Sequence, residues 1–203
     1  MSRIRSVPLS DFDSELRAML DADSKADREL HPTSIRAHHP EIAKAYLRFG
    51  AALKQFSVLS ARLRELVRLR VAFHNQCRSC MAMRYADAVD DGVTEELVCS
   101  LEKPHAADDL TDAEKVALRF ADLLATNHLA VDDRLYAEQA LHFSEKEVVE
   151  LGMFSAMCVG YSRLSATWQM HEDLPQRFQV DDGGPVTPWG PDAWTTARPR
   201  APH

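Results

Sequence analysis

Apolar residues recur at helical spacing along most of this chain. A first segment runs from Ser10 to about Leu30, with Phe12, Leu16, Met19 and Leu20 on one side; His31-Pro32 is expected to end it. Pro40 opens a second helix carrying Ile42, Ala45, Tyr46, Phe49 and Leu53. Ser60 fits the N-cap of a third, through Leu63, Leu66, Val67, Val71 and Phe73. A fourth is expected from Cys77 to Gly92, a natural residue just past a helix end. Thr94 starts a short fifth. Thr111-Asp112-Ala113-Glu114 and Ser144-Glu145-Lys146-Glu147 both read as capping boxes, opening helices to about Asn127 and His171. Another helix, from Asp132 to Leu141, lies between them.

No run alternates as a strand, so the pattern predicts an all-α fold of about seven to eight helices. In the last helix Gly152, Ala156 and Gly160 recur every four residues, which allows close approach of another helix, within the chain or across a subunit contact. From Asp181 glycines and prolines rule out regular structure. Trp189 and Trp194 are apolar for a free tail, so part of it is expected to lie on the body or on a neighbour. The expected organisation is an N-terminal helical extension over 1–30, a helical domain over 31–180 and a Pro/Gly-rich tail over 181–203.

The chain has 203 residues, enough for a real core, and 45% of them are apolar and 27% charged, the balance of a soluble globular protein. A formal charge of −7 argues against nucleic acid or an anionic membrane as a bulk partner. No apolar stretch approaches the length that spans a bilayer. Met1-Ser2-Arg3-Ile4-Arg5 leads into polar sequence, unlike a signal peptide, so a reducing cytoplasm is expected. There, paired thiols point to redox chemistry or metal binding rather than to a permanent disulfide.

Cys77-Arg78-Ser79-Cys80 is such a pair. On an unbroken helix from Cys77, residues 77, 80 and 84 share one face, so Arg84 would favour a thiolate, as would Arg78 within the motif. Glu65 sits on the stripe of Leu69 and Ala72, where a carboxylate can pass protons; the plainer reading is an ion pair with Arg62 or Arg68. His74 can be a base or a polar helix-end residue. A zinc site needs two more ligands, and no second CxxC or spaced histidine pair follows, so no metal site is expected. His31, His38 and His39 fit a solvent-facing loop. Cys99 and Cys158 read as buried small hydrophobes. Arg62, Arg64, Arg68 and Arg70 form a basic stripe without the aromatic interleaving of a nucleic-acid surface, and a solvated or subunit-facing side is expected.

The stretch Ser60-Ala61-Arg62-Leu63-Arg64-Glu65-Leu66-Val67, then Cys77-x-x-Cys80 and Gly92-Val93-Thr94, resembles the carboxymuconolactone decarboxylase family, and more closely its AhpD-like alkylhydroperoxidase branch. That branch carries Glu-x₁₁-Cys-x₂-Cys-x₃-His, and Glu65, Cys77 and Cys80 fall at the matching spacing. The central match covers roughly 40–125. The resemblance implies an all-helical AhpD-like bundle that assembles into a homo-oligomer (trimer, hexamer or dimer). It also implies a peroxidase in which Cys80 attacks a hydroperoxide, Cys77 resolves the sulfenic acid and Glu65 joins the proton relay. A lipoyl or thioredoxin-like dithiol would restore the pair, with no bound cofactor required. Arg84 stands where the family has histidine, and arginine does not accept a proton near neutral pH. Two other readings follow from the same residues. One is a lyase or isomerase acting on a small acidic substrate, with Glu65, His74 and Arg84 in one pocket. The other is a non-catalytic helical oligomer.

Overall fold

The computed structural model describes residues 2–180 and 183–196. Eleven α-helices follow one another: α1 Ser14–Leu20, α2 Asp27–Arg36, α3 Pro40–Gln55, α4 Ala61–His74, α5 Arg78–Met81, α6 Ala86–Asp90, α7 Glu95–Ser100, α8 Asp112–Thr126, α9 Asp133–Gln139, α10 Glu145–Trp168 and α11 Gln176–Gln179. Two short strands, β1 Met83–Arg84 and β2 Trp194–Thr195, pair in parallel. The fold is all-α. None of the described helices is long and apolar enough to cross a membrane.

Both expected capping boxes form. Thr111 and Ser144 each accept from the backbone N–H three residues on, and Glu114 and Glu147 accept from the N–H groups of their caps. Ser60 caps α4 by accepting from Leu63 N–H. The helix count among the described residues exceeds the expected seven to eight because two predicted helices are broken and the short α11 lies outside the predicted set. The 10–30 segment divides at Asp21, whose φ of 47° is left-handed backbone. The second part runs through Pro32 instead of ending there, since Pro32 lies inside α2. One proline forfeits one backbone bond, and the buried Leu30 and Ile35 hold that helix in place.

The second break matters more. The helix expected from Cys77 to Gly92 stops at Met81, turns through β1 and restarts at Ala86. The backbone groups a continuous helix would use are bonded elsewhere. Arg68 takes the carbonyls of Cys80 and Met83, and Arg84 takes that of Met81. The tail's Trp194 and Thr196 donate to Ala82 and Arg84. Tyr85 N–H donates to Glu65 and Ala86 N–H to Thr196.

Helix α4 runs through the centre. Its Leu66, Val67, Leu69 and Val71 are fully buried, packed with Leu118 and Ala121 of α8 and Leu151 of α10. A second cluster joins Phe12, Leu16 and Leu20 to Leu30 and Ala43. A third, of Ala72, Met81, Ala82, Leu174 and Phe178, ties the CxxC turn to the C-terminal segment, with Val186 and Trp194 packed on it. Trp189 lies 4.8 Å from the Phe73 ring, so the described part of the tail lies on the body as expected. A Cβ at Gly152 or Gly160 would meet nothing within 4 Å, so among the described residues no helix packs closely on these two glycines.

Leu69→Ala should destabilise the protein by about 2–5 kcal/mol, because it opens a cavity in the central helix contact. Leu129→Ala, at a side chain 85% exposed, should stay within about 0.5 kcal/mol. Urea denaturation of the two variants checks the placement of the core.

Candidate functional site

Helix α4 ends at Asn75, and Gln76 then turns left-handed with φ of 51°. The Gln76 side chain supports that conformation. Its amide donates to Phe73 and Val186 carbonyls at 2.7 and 3.2 Å and accepts from Val186 N–H at 2.9 Å. This turn places Cys77 at the N-cap of α5, one helical turn before Cys80. The two sulfurs are bonded, with 5.2 Å between the α-carbons. Cys77 is 1% exposed, whereas Cys80 is half-buried and lines a cleft of about 730 Å³.

Under this turn lies a buried ion pair. Arg68 Nε and Nη2 each donate at 2.7 Å to the two carboxylate oxygens of Glu65, which is 2% exposed. The remaining reach of the guanidinium goes to the carbonyls of Cys80 at 2.6 Å and Met83 at 2.7 Å. Burial opposes the charge on Arg68, and the Glu65 carboxylate more than offsets it, so its pKa is raised. The ion-pair reading of Glu65 therefore holds, with Arg68 as partner and not Arg62. Among the described contacts, Glu65 reaches Cys80 only through this arginine.

Tyr85 follows the break. Its ring sits 4.9 Å from the Arg68 guanidinium carbon. It keeps 40% of its surface open and lines the Cys80 cleft and a second, mainly apolar cavity of about 320 Å³ that also touches Glu65. Surrounding protein pushes its hydroxyl up to about 12, with Arg68 acting in the opposite sense, so at neutral pH it is a proton donor. Cys158 lies in the same electrostatic neighbourhood. Burial pushes its thiol up to about 12, which makes it unreactive.

The other expected site residues are elsewhere. Arg84 is 2% exposed and does not share a helical face with the cysteines, because the helix breaks before it. It pairs with Glu95 at 2.9 and 3.0 Å and donates to the carbonyls of Met81, Met83 and Pro188. Its charge is thus taken up in holding the tail. His74 is 2.7 Å from Asp122 and lines neither cavity. Arg78 reaches the carbonyls of Phe178, Gln179 and Val180. Cys99 is exposed, contrary to expectation, because only Leu97 and Val98 of its short helix face inward. The basic stripe of α4 is not a solvated side. Arg62 pairs with Glu114, Arg70 with Asp122, and Arg64 donates to the Leu59 carbonyl and lies 3.9 Å from Asp87. Among the described residues no group of acidic, histidine or cysteine side chains could hold a metal ion.

The match to known proteins agrees with this geometry. Residues 40–123 match the model of the Carboxymuconolactone decarboxylase family. That segment holds Glu65, Arg68 and both cysteines; α1, α2, α9, α10 and the tail lie outside it. An uncharacterized protein of Mycobacterium tuberculosis is 36% identical over 117 residues, 56% of this chain and 40% of that relative. The chain thus spans less than half the length of that relative. The uncharacterized protein YdfG of Bacillus subtilis is 28% identical over 127 residues, 62% of this chain and 86% of YdfG. Among solved structures, an AhpD-core, peroxidase-related protein of Ralstonia eutropha superposes with a TM-score of 0.71 at 17% identity, covering 88% of this chain and 94% of its own. The debrominase Bmp8, a cysteine-to-alanine variant in complex with 2,3,4-tribromopyrrole, gives 0.68 at 18% identity over 83% and 90%. These two likenesses establish the AhpD-like fold.

Arg68→Met should cost about 3–5 kcal/mol, because it leaves Glu65 buried without a counter-charge, and Glu65→Gln combined with Arg68→Met should recover much of the loss. Thermal or urea unfolding of the double-mutant cycle reads this directly. The Asp122 carboxyl is held below its ordinary value: burial pushes it up, but His74 and Arg70 more than compensate. Its contribution is full above the unfolded value of about 3.8 and is lost as pH falls through the lower folded value. Stability should therefore fall less steeply with acid in Asp122→Asn than in the parent, measured by urea midpoints below pH of about 5.

Proposed function

We propose that this protein is a thiol-dependent peroxidase that uses Cys80 and Cys77 as its redox pair and a dithiol as reductant. The observation that carries this reading is the unequal access of two bonded sulfurs: Cys80 lines an open cleft and Cys77 is closed off beneath it. In a dithiol peroxidase the exposed thiolate meets the substrate and the sheltered one waits for it.

The Cys80 thiolate attacks the terminal oxygen of a hydroperoxide ROOH. The S–O bond forms as the O–O bond breaks, leaving Cys80 as a sulfenic acid and releasing RO⁻, which takes a proton to give the alcohol ROH. In this reading Tyr85, which lines the same cleft, supplies that proton and recovers it from water. Cys77, as thiolate, then attacks the sulfenic sulfur; the disulfide forms and hydroxide leaves as water. A lipoyl or thioredoxin-like dithiol reduces the disulfide by exchange and is itself oxidised to a disulfide. Glu65 acts here through Arg68, by fixing the carbonyl of Cys80, and is a positioning residue. The dithiol partner and the homo-oligomer belong to this proposal.

The lyase reading has less support, since it needs Glu65, His74 and Arg84 around one pocket. His74 and Arg84 each have a carboxylate partner and line neither cavity.

With dithiothreitol as reductant, the protein should consume cumene hydroperoxide, and Cys80→Ser should lower the rate at least about a hundredfold. Cys77→Ser should still react once and leave a sulfenic acid on Cys80 that dimedone traps. Full turnover by Cys80→Ser would sink the reading.

A further inference from the structure

The role of the cleft as reaction site rests on the reading above; what the cleft admits is a separate matter, and one cation in its wall bears on it. Arg36 closes α2, outside the segment that matches the family. It lines the same cleft as Cys80. Its guanidinium carbon lies 4.4 Å from the Tyr46 ring centroid and 5.4 Å from that of Trp168. Among the described residues only its Nη2 donates a hydrogen bond, to Ser165 Oγ at 3.2 Å.

No carboxylate pairs with Arg36 among the described residues; Arg163 and Arg177 lack one too, but they donate to Asn75, Ala125, Trp189 and Thr187 and neither lines the Cys80 cleft. Arg62, Arg68, Arg70 and Arg84 all have a carboxylate within 3 Å. Burial lowers the Arg36 pKa, and only nearby tyrosine hydroxyls act against it. A cation–π contact offsets part of such a cost. It consumes no hydrogen-bond donor, and among the described residues Nε and Nη1 have no acceptor. The guanidinium N–H groups form the fork that binds a carboxylate with two parallel bonds. The cleft between this fork and Cys80 has apolar walls from Met19, Leu20, Leu47, Leu174 and Trp194. The wall also carries Lys25, Asp21 and Glu29, while Lys54 pairs with Asp87 at 2.9 Å.

We propose that Arg36 is a specificity-determining residue that receives the carboxylate of an amphipathic organic substrate, whose apolar body lies along the cleft towards Cys80. Under the peroxidase reading the substrate class is a carboxylate-bearing organic hydroperoxide. An uncharged hydroperoxide of the same size would enter the cleft but lack the anchor.

Octanoate and 1-octanol, matched in apolar length, test this by calorimetric titration of the reduced protein. Octanoate should bind more tightly than octanol and should slow iodoacetamide alkylation of Cys80. Arg36→Gln should weaken octanoate by about ten- to hundredfold and leave octanol unchanged, the effect of losing a hydrogen-bonded ion partner. Arg36→Lys, which keeps the charge without the fork, should fall between; it serves if Arg36→Gln does not fold. Equal affinity for the two probes, or an Arg36 variant that binds octanoate like the parent, would overturn the proposal. Neither measurement needs turnover. Octanoate bound at Arg36 in a protein inert to hydroperoxides would sink only the peroxidase reading. Turnover with no dependence on Arg36 would sink only this one.

Discussion

The buried Glu65–Arg68 pair is the constraint on which the site depends. Neither charge is stable there alone, because the cost of desolvating an unpaired ion in a protein interior is several kcal/mol. Together they neutralise each other, and Arg68 still has N–H groups to spend. It spends them on the carbonyls of Cys80 and Met83. Those bonds end the helix that begins at the cysteine pair and turn the chain into β1. The break in turn brings Tyr85 to the wall of the cleft and lets the tail's Trp194 and Thr196 pair with the exposed backbone. A buried ion pair is weak evidence for stability; here its consequence is geometric, since it sets the backbone on which Cys80 sits.

The same economy runs along α4. A helix surrounded by apolar neighbours carries four arginines, three with a carboxylate at close range and the fourth, Arg64, held mainly by backbone carbonyl and hydroxyl groups. Each joins the central helix to a different part of the molecule: Arg62 and Arg70 to α8, Arg68 to the CxxC turn. Arg36 departs from this pattern. Its charge is stacked on aromatic rings in a cleft that also holds Cys80, with its N–H fork left open.

The helical period and cap signals in the sequence were enough to read the all-α class, both capping boxes and the N-cap of α4, because these are local. The CxxC pair and Glu65 were legible by spacing. What was not legible depends on long-range contacts. A continuous helix from Cys77 is the better local structure, and only Arg68, Glu65 and the tail, up to more than a hundred residues away, overturn it. The role assigned to Arg84 failed with that helix. The basic stripe looked solvated because its carboxylate partners, Glu114 and Asp122, lie on another helix. Arg36 carried no signal at all: a lone arginine after a proline-bearing segment is ordinary until the fold places it between Tyr46 and Trp168.

The central proposal is that this scaffold presents Cys80 as an accessible, activated thiol, with Arg68 bonded to its carbonyl and Arg36 in the wall of the same cleft. The rate of iodoacetamide alkylation of Cys80 against pH, in the reduced protein, measures that most directly. A titration midpoint well below the free-cysteine value of about 8.5 is the predicted result. A midpoint at or above that value would contradict the account.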